Sequence, residues 1–193
     1  MAEFLGIIPA RYASSRFPGK PLALLGEKPM IQWVYERASN IFEHLVVATD
    51  DDRILNTVID FGGKALKTRS DHNTGTERCA EALDLYRNQS GLTFSHVVNI
   101  QGDEPLIQTG QLQTLMDCFQ VPGTGIATLI RKIPQEEDAQ NPNLVKVVVD
   151  KSLKALYFSR ALIPYIRGPK SDGFTYYAHL GLYAYRSDVL EKV

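Results

Sequence analysis

The sequence predicts an α/β protein, a mixed sheet between two layers of helices, and three observations carry that expectation. Short apolar runs alternate with segments of helical period as far as Phe119. Polar clusters follow several of those runs, where a parallel sheet presents the carboxyl ends of its strands. Beyond Pro122-Gly123 helical patterns become scarce and strand follows strand.

The apolar run at 4–8 is the first strand. In the helix at 29–40, Met30, Ile31, Val34 and Ala38 recur at helical spacing, Pro29 suits the opening position, and Gln32, Glu36 and Arg37 face away. Trp33 on this helix is expected in the core. A strand at 45–48 precedes a helix at 53–61, which Asp51 or Asp52 caps. That helix buries Ile54, Leu55, Val58 and Ile59 and stops at Gly62-Gly63. A strand at 64–67, a helix at 76–88, a buried strand at 97–100 and a helix at 110–119 follow, the last using Leu112, Leu115, Met116 and Phe119. Strands at 125–133, 144–149, 155–158 and 180–185 extend the same sheet rather than form a second domain. Asp150-Lys151-Ser152 makes a tight hairpin between two of them. The Gly-, Pro- and Ser-rich stretch at 166–175 reads as a mobile loop, and 187–193 as the first turns of a helix.

A chain of 193 residues, 44% of them hydrophobic, fits one domain spanning 1–193 with a core that needs no metal or disulfide. With 21 basic against 22 acidic side chains, a broad basic face is not expected, which argues against nucleic acid and favours a small anionic ligand. Cys79 and Cys118 stand far apart without ligand spacing, so neither a zinc site nor a disulfide framework is expected, and the compartment reads as reducing. Met1-Ala2-Glu3 lacks a basic leader, and the apolar run behind it is too short for a signal peptide or membrane span. The expectation is a cytoplasmic protein.

Three clusters carry the chemistry. Residues 9–20 contain Arg11, Arg16 and Lys20 and no acid, with Ser14, Ser15 and Gly19 among them. Hydroxyls and unencumbered N–H groups there suit phosphate oxygens, a solvated surface loop being the alternative. In 71–78, Thr74 and Glu77 have capping-box spacing, which gives both a structural role. Arg78, a cation in the first turn of a helix, opposes the dipole and makes sense beside an anion; otherwise it is an exposed surface charge. In 99–105, Asp103 follows a buried strand and a glycine, where a carboxylate projects into a cleft and holds a hard cation; the alternative is a turn closed by Pro105. Cations on one rim and an acid on another suit a magnesium–nucleoside triphosphate. Helix capping accounts for Asp50-Asp51-Asp52. His44 and His96 read as edge residues, and His72 lies in a polar loop with no assigned role. His179, near Tyr176, Tyr177 and Tyr183, donates to a substrate hydroxyl or closes a sheet edge, and Arg160 grips a carboxylate or makes a surface ion pair.

Together the clusters resemble the cytidylyltransferases that activate 3-deoxy-D-manno-octulosonate (Kdo). The likeness rests on Ile8 through Leu22 (IPARYASSRFPGKPL), Gly75-Thr76-Glu77-Arg78 and Asn99-Ile100-Gln101-Gly102-Asp103-Glu104-Pro105. It continues through Asn141-Pro142-Asn143, Val145-Lys146-Val147-Val148, Ala155 to Arg160 and His179 to Arg186. The resemblance implies a three-layer αβα, Rossmann-like nucleotide-diphospho-sugar transferase fold with a mixed sheet. It implies that Ala10, Arg11, Ser14, Lys20, Thr74, Gly75, Arg78 and Gln101 bind CTP, that Lys20, Arg11 and Asp103 act in catalysis, and that Asp103 binds Mg2+. Arg160, His179 and Tyr185 match the sugar-acid side. The anomeric hydroxyl of Kdo attacks the α-phosphorus of CTP, giving CMP-Kdo and pyrophosphate for lipopolysaccharide biosynthesis without a covalent enzyme intermediate. A homodimer built on the later strands is also implied, as is a family tail of some tens of residues that adds a metal-binding aspartate and sugar contacts. The competing readings are another nucleotidyltransferase, such as one activating sialic acid or a sugar 1-phosphate, a nucleotide-binding module without catalysis and, last, a glycosyltransferase.

Overall fold

Strand β1 (Ala2–Ala10) is the axis of the molecule because Leu5, Ile7 and Ile8 are apolar on both of its faces and fully buried. The computed structural model describes residues 2–13, 17–134, 138–167 and 174–192. The chain divides into two compact units, Met1–Ala127 with Leu182–Val193, and Thr128–Gly181.

In the first unit β1 is followed by a small hairpin of β2 (Leu24–Leu25) and β3 (Lys28–Pro29), then α1 (Met30–Ser39), β4 (Leu45–Thr49), α2 (Asp52–Asp60) and β5 (Ala65–Lys67). Next come α3 (Gly75–Ser90), β6 (Phe94–Asn99) and α4 (Thr109–Asp117). The parallel strands stand in the order β5-β4-β1-β6, with Ile7 level with Val46 on one side and Asn99 on the other. Chain order reverses beside β1, which makes its carboxyl end the switch point where open α/β sheets receive ligands. Helices cover both faces. Leu5 and Ile7 share a core with Cys79, Ala82, Leu83 and Tyr86 of α3, while Ile8 and Ile31 of α1 meet on the other side, around Gly102. Burial pushes the Cys79 thiol far up, so it stays protonated and packs as a small apolar side chain.

The second unit holds β8 (Lys146–Val149) and β9 (Ala155–Ser159), an antiparallel pair. Strands β7 (Ile126–Lys132) and β10 (Tyr177–Arg186) pair with each other and run through both units. The start of β10 pairs with β8, Tyr177 opposite Val147, and its end pairs antiparallel with β6, Tyr183 opposite Asn99, which makes the sheet mixed. A small core of Ile133, Ala139, Tyr176 and Ala178 fills the second unit. Lys146 is fully buried there, and its ammonium donates to the carbonyls of Asn141, Leu144 and Arg160 at 2.9, 2.9 and 2.6 Å, so all three of its donors are used. After β10 the chain turns into α5 (Ser187–Leu190).

Several local expectations are corrected. Trp33 is half-buried rather than core, because its indole N–H donates to the Leu25 carbonyl at 2.9 Å beside the small hairpin. Ile59 lies 55% exposed, since the short α2 turns only Ile54 and Val58 fully inward. The β8–β9 connection runs to Lys154. Asp150 Oδ1 accepts from the Ser152 and Lys154 N–H groups, and Leu153 takes φ 63°, a left-handed position for which a side chain is strained. Within the expected loop at 166–175, residues 168–173 lie outside the described residues. Among the described residues no helix is long and apolar enough to cross a membrane.

Candidate active site

A cleft of about 270 Å³ opens in the first unit at the carboxyl ends of β1 and β6. It is lined by Pro9 to Arg11, Lys20, Pro21, His72 to Gly75, Arg78 and Gln101 to Asp103. All three sequence clusters converge on it.

Two glycines set the rims. Gly19, at φ 70°, turns the chain so that its N–H donates to the Tyr12 carbonyl at 2.8 Å and Lys20 starts a 3-10 turn into the cleft. A Cβ there would stand 2.8 Å from the Tyr12 ring, which in turn carries the Arg53 guanidinium 3.3 Å from its centre. Gly102 passes so close to β1 that a Cβ would lie 3.2 Å from the Pro9 carbonyl oxygen. The turn after it, closed by Glu104 N–H to the Gln101 carbonyl at 3.2 Å, presents Asp103 to the cleft. Ser14, with Ser15 and Arg16, lies outside the described residues.

Lys20 Nζ donates to Asp103 Oδ2 at 2.6 Å, their side chains 36% and 46% exposed. The cation and the acid expected on opposite rims are thus in direct contact. Burial and then the neighbouring Asp103 push the Glu104 carboxyl up, Lys20 offsetting part of it. Among the described residues no three His, Cys, Asp or Glu side chains gather where they could enclose a metal. A lone carboxylate facing a phosphate site still fits Mg2+, which is commonly held by one or two carboxylates together with substrate phosphates.

Arg78 is neither exposed nor free. It is 4% exposed, donates to Thr68 Oγ1 and to the Arg69 carbonyl, and brings Nη2 within 3.2 Å of Asp50 Oδ1. That oxygen has no well-aligned hydrogen bond, so the contact is an ion pair rather than a directed bond. Asp50 is therefore the counter-ion of the cleft arginine, and the cap of α2 is Asp51, which accepts from the Arg53 N–H at 3.0 Å. The capping box of α3 is half-formed. Thr74 Oγ1 accepts from Glu77 N–H at 3.1 Å, but Glu77 reaches back to the N–H of Asn73, at 2.8 Å, one residue before the cap. His72, given no role by the sequence, lines the cleft with a nearly buried ring bonded to Glu81. Burial raises the Glu81 carboxyl, but bonds from His72 and the Arg69 N–H outweigh that and hold it below the usual range.

Ala10, Arg11, Lys20, Thr74, Gly75, Arg78, Gln101 and Asp103 all line the cleft. The residues expected on the sugar side are not among that lining. Tyr185 is 5% exposed in the core beneath α3, its hydroxyl 3.3 Å from Thr76 Oγ1, and burial raises its phenol. His179 and Arg160 belong to the second unit. There His179 Nε2 lies 2.8 Å from Thr128 Oγ1, burial pulls its imidazole down, and the exposed Arg160 donates to the Pro142 carbonyl at 2.9 Å. The sequence missed Asp50, His72 and Pro21 as parts of the site. Only the position of Asp50 at the end of a strand signalled it.

A switch-point cleft in an open α/β sheet, cationic and closed by one carboxylate, defines a nucleotide-binding class of protein. The cytidylyltransferase family model matches residues 5–193, and the chain belongs to that family. It is 52% identical to a 3-deoxy-manno-octulosonate cytidylyltransferase of Phocaeicola vulgatus, over 99% of this chain and 77% of the relative. To that of Thermodesulfovibrio yellowstonii it is 49% identical, over 96% and 76%. A solved CMP:2-keto-3-deoxy-manno-octonic acid synthetase complexed with CTP matches with a TM-score of 0.89 and 43% identity, over 99% of this chain and 77% of that one. The chain thus spans about three-quarters of the length of these relatives, and the fold is the nucleotide-diphospho-sugar transferase fold.

Proposed function

We propose that the chain transfers the cytidylyl group of CTP to the anomeric hydroxyl of Kdo, giving CMP-Kdo and pyrophosphate, an activation that feeds lipopolysaccharide assembly. The single observation that carries this reading is the convergence of Arg11, Lys20, Arg78 and Asp103 on one switch-point cleft, in a chain so close to named Kdo cytidylyltransferases. The hydroxyl oxygen of Kdo, its proton passing to solvent, bonds to the α-phosphorus of CTP, the bond to the bridging oxygen breaks, and pyrophosphate leaves with its electron pair. No side chain becomes covalently attached. Lys20 and Arg11 stabilise the negative charge that moves onto the leaving group, and Arg78, held by Asp50, keeps a fixed positive charge at the cleft wall. Ala10, Ser14, Thr74, Gly75 and Gln101 complete the nucleotide site, and Arg160 and His179 keep the expected role toward the sugar acid, whereas Tyr185, buried beneath α3, is left to the core. Asp103 would hold Mg2+, which would neutralise phosphate charge.

The protein works in the cytoplasm as a homodimer. The dimer reading is supported by β9, an edge strand on which Leu156 and Tyr157 are 61% and 65% exposed, an apolar surface that a monomer rarely leaves bare. Incubation with CTP, Kdo and MgCl2 tests the activity, with pyrophosphate release and the mass of CMP-Kdo as readouts. Release with sialic acid but not Kdo would replace the acceptor, and CTP binding without release under any acceptor would reduce the chain to a nucleotide-binding module.

A further inference from the structure

The contact between Lys20 and Asp103 joins two residues whose ligands differ. Each backbone is set by its glycine, Gly19 against Tyr12 and Gly102 against Pro9, which brings the two side chains within reach of each other, at 2.6 Å. An ammonium on Asp103 Oδ2 takes one of the two oxygens a divalent cation can use and offsets the charge that attracts it. A carboxylate on Lys20 Nζ takes one of its three donors and offsets the charge that attracts a phosphate. A free cation or a metal-free triphosphate therefore competes with the pair for one partner and leaves the other charge less well matched. The metal–triphosphate complex brings a new partner for both at once.

We propose that the Lys20–Asp103 ion pair is a latch that weakens binding of either component alone and exchanges partners with the metal–triphosphate complex. The inference rests on the nucleotide-binding reading above and adds a coupling between metal and nucleotide that begins in the protein itself. Because both side chains are partly exposed, the latch is worth what exposed ion pairs are worth, about two- to fivefold in affinity.

The sign of one effect sets the latch apart from a passive site. Lys20→Met weakens CTP binding in the presence of metal, yet tightens Mn2+ binding to the chain without nucleotide by about two- to fivefold. Arg11→Met removes the same charge from the same cleft without touching the pair, and so corrects for the general loss of repulsion. Mn2+ affinity is read by electron paramagnetic resonance of the free ion, and CTP affinity by calorimetry. The expected result is a larger gain in Mn2+ affinity for Lys20→Met than for Arg11→Met, abolished when Asp103→Asn is added. Equal gains in the two variants overturn the latch, as does Mn2+ binding that survives Asp103→Asn. Failure of the unaltered chain to bind CTP with Mn2+ present overturns the nucleotide-binding reading itself, a result separable from the first two.

Discussion

Replacing Asp50 by Asn keeps the shape of the side chain and removes the one carboxylate facing a buried guanidinium. Breaking a fully buried pair from one side costs about 3–5 kcal/mol, because the remaining charge stays in a poor solvent. Here the cost is smaller. Arg78 is 4% exposed but Asp50 is 20% exposed, their 3.2 Å contact lacks an aligned hydrogen bond, and Arg78 keeps Thr68 and the Arg69 carbonyl as acceptors. Discounted for these, Asp50→Asn destabilises by about 2 kcal/mol, which for a chain of this size lowers Tm by roughly 4–8 °C. Thermal unfolding followed by circular dichroism reads the loss. Adding Arg78→Met restores part of it, since the stranded charge goes with the guanidinium, and that recovery marks electrostatics rather than packing as the cause. CTP affinity falls in both variants. An Asp50→Asn protein that melts within about 1 °C of the parent would refute the ion-pair account of Arg78.

Lys20→Ala lowers turnover by about a hundredfold, the loss of one preorganised donor, while Tm stays unchanged because the side chain is partly exposed; parallel losses of activity and fold would remove Lys20 from catalysis. Glu81 titrates below the ordinary glutamate value of 4.5, so its bonds to His72 and the Arg69 N–H stabilise the folded chain above that value. This contribution is lost as pH falls through the lower folded value. The Tm gap between the parent and Glu81→Gln accordingly narrows as pH drops below 4.5, and a gap that holds constant on acidification contradicts the assignment. Tyr157→Lys on β9 shifts the proposed dimer to monomer in sedimentation velocity, and a parent chain that already sediments as a monomer rules the interface out.

The first unit was legible because its signals are local. A buried β1 reads as an uninterrupted apolar run, α2 declares its cap within Asp51-Asp52, and α3 announces itself through Thr74. Where the reading slipped, a contact distant in sequence had intervened. Trp33 left the core for a carbonyl on the β2–β3 hairpin, a pair of two-residue strands too short to show a period. The β8–β9 turn lengthened because the Asp150 carboxylate gathers several N–H groups, a side-chain effect that the alternation of apolar residues does not encode.

The site follows the same division. Clusters at strand ends are visible in sequence, and the topology of open α/β sheets brings them together, so Arg11, Lys20, Arg78, Gln101 and Asp103 were found in one cleft. Pairing is what stayed hidden. Whether a cation is neutralised, and by which acid, depends on residues that the parallel order β4-β1-β6 makes neighbours across tens of positions, as with Asp50 and Arg78 or Lys20 and Asp103. Reading Arg78 as a cation that makes sense beside an anion had the right place, and the anion beside it is the Asp50 carboxylate. With Asp50 beside it, its attraction for a triphosphate is partly spent within the protein, which leaves the net positive charge of the cleft to Arg11 and to Lys20 once it leaves Asp103. Nucleotide affinity should therefore depend on metal more steeply than a count of cationic side chains suggests, because Asp103 gives up Lys20 at least cost when a second cation replaces it.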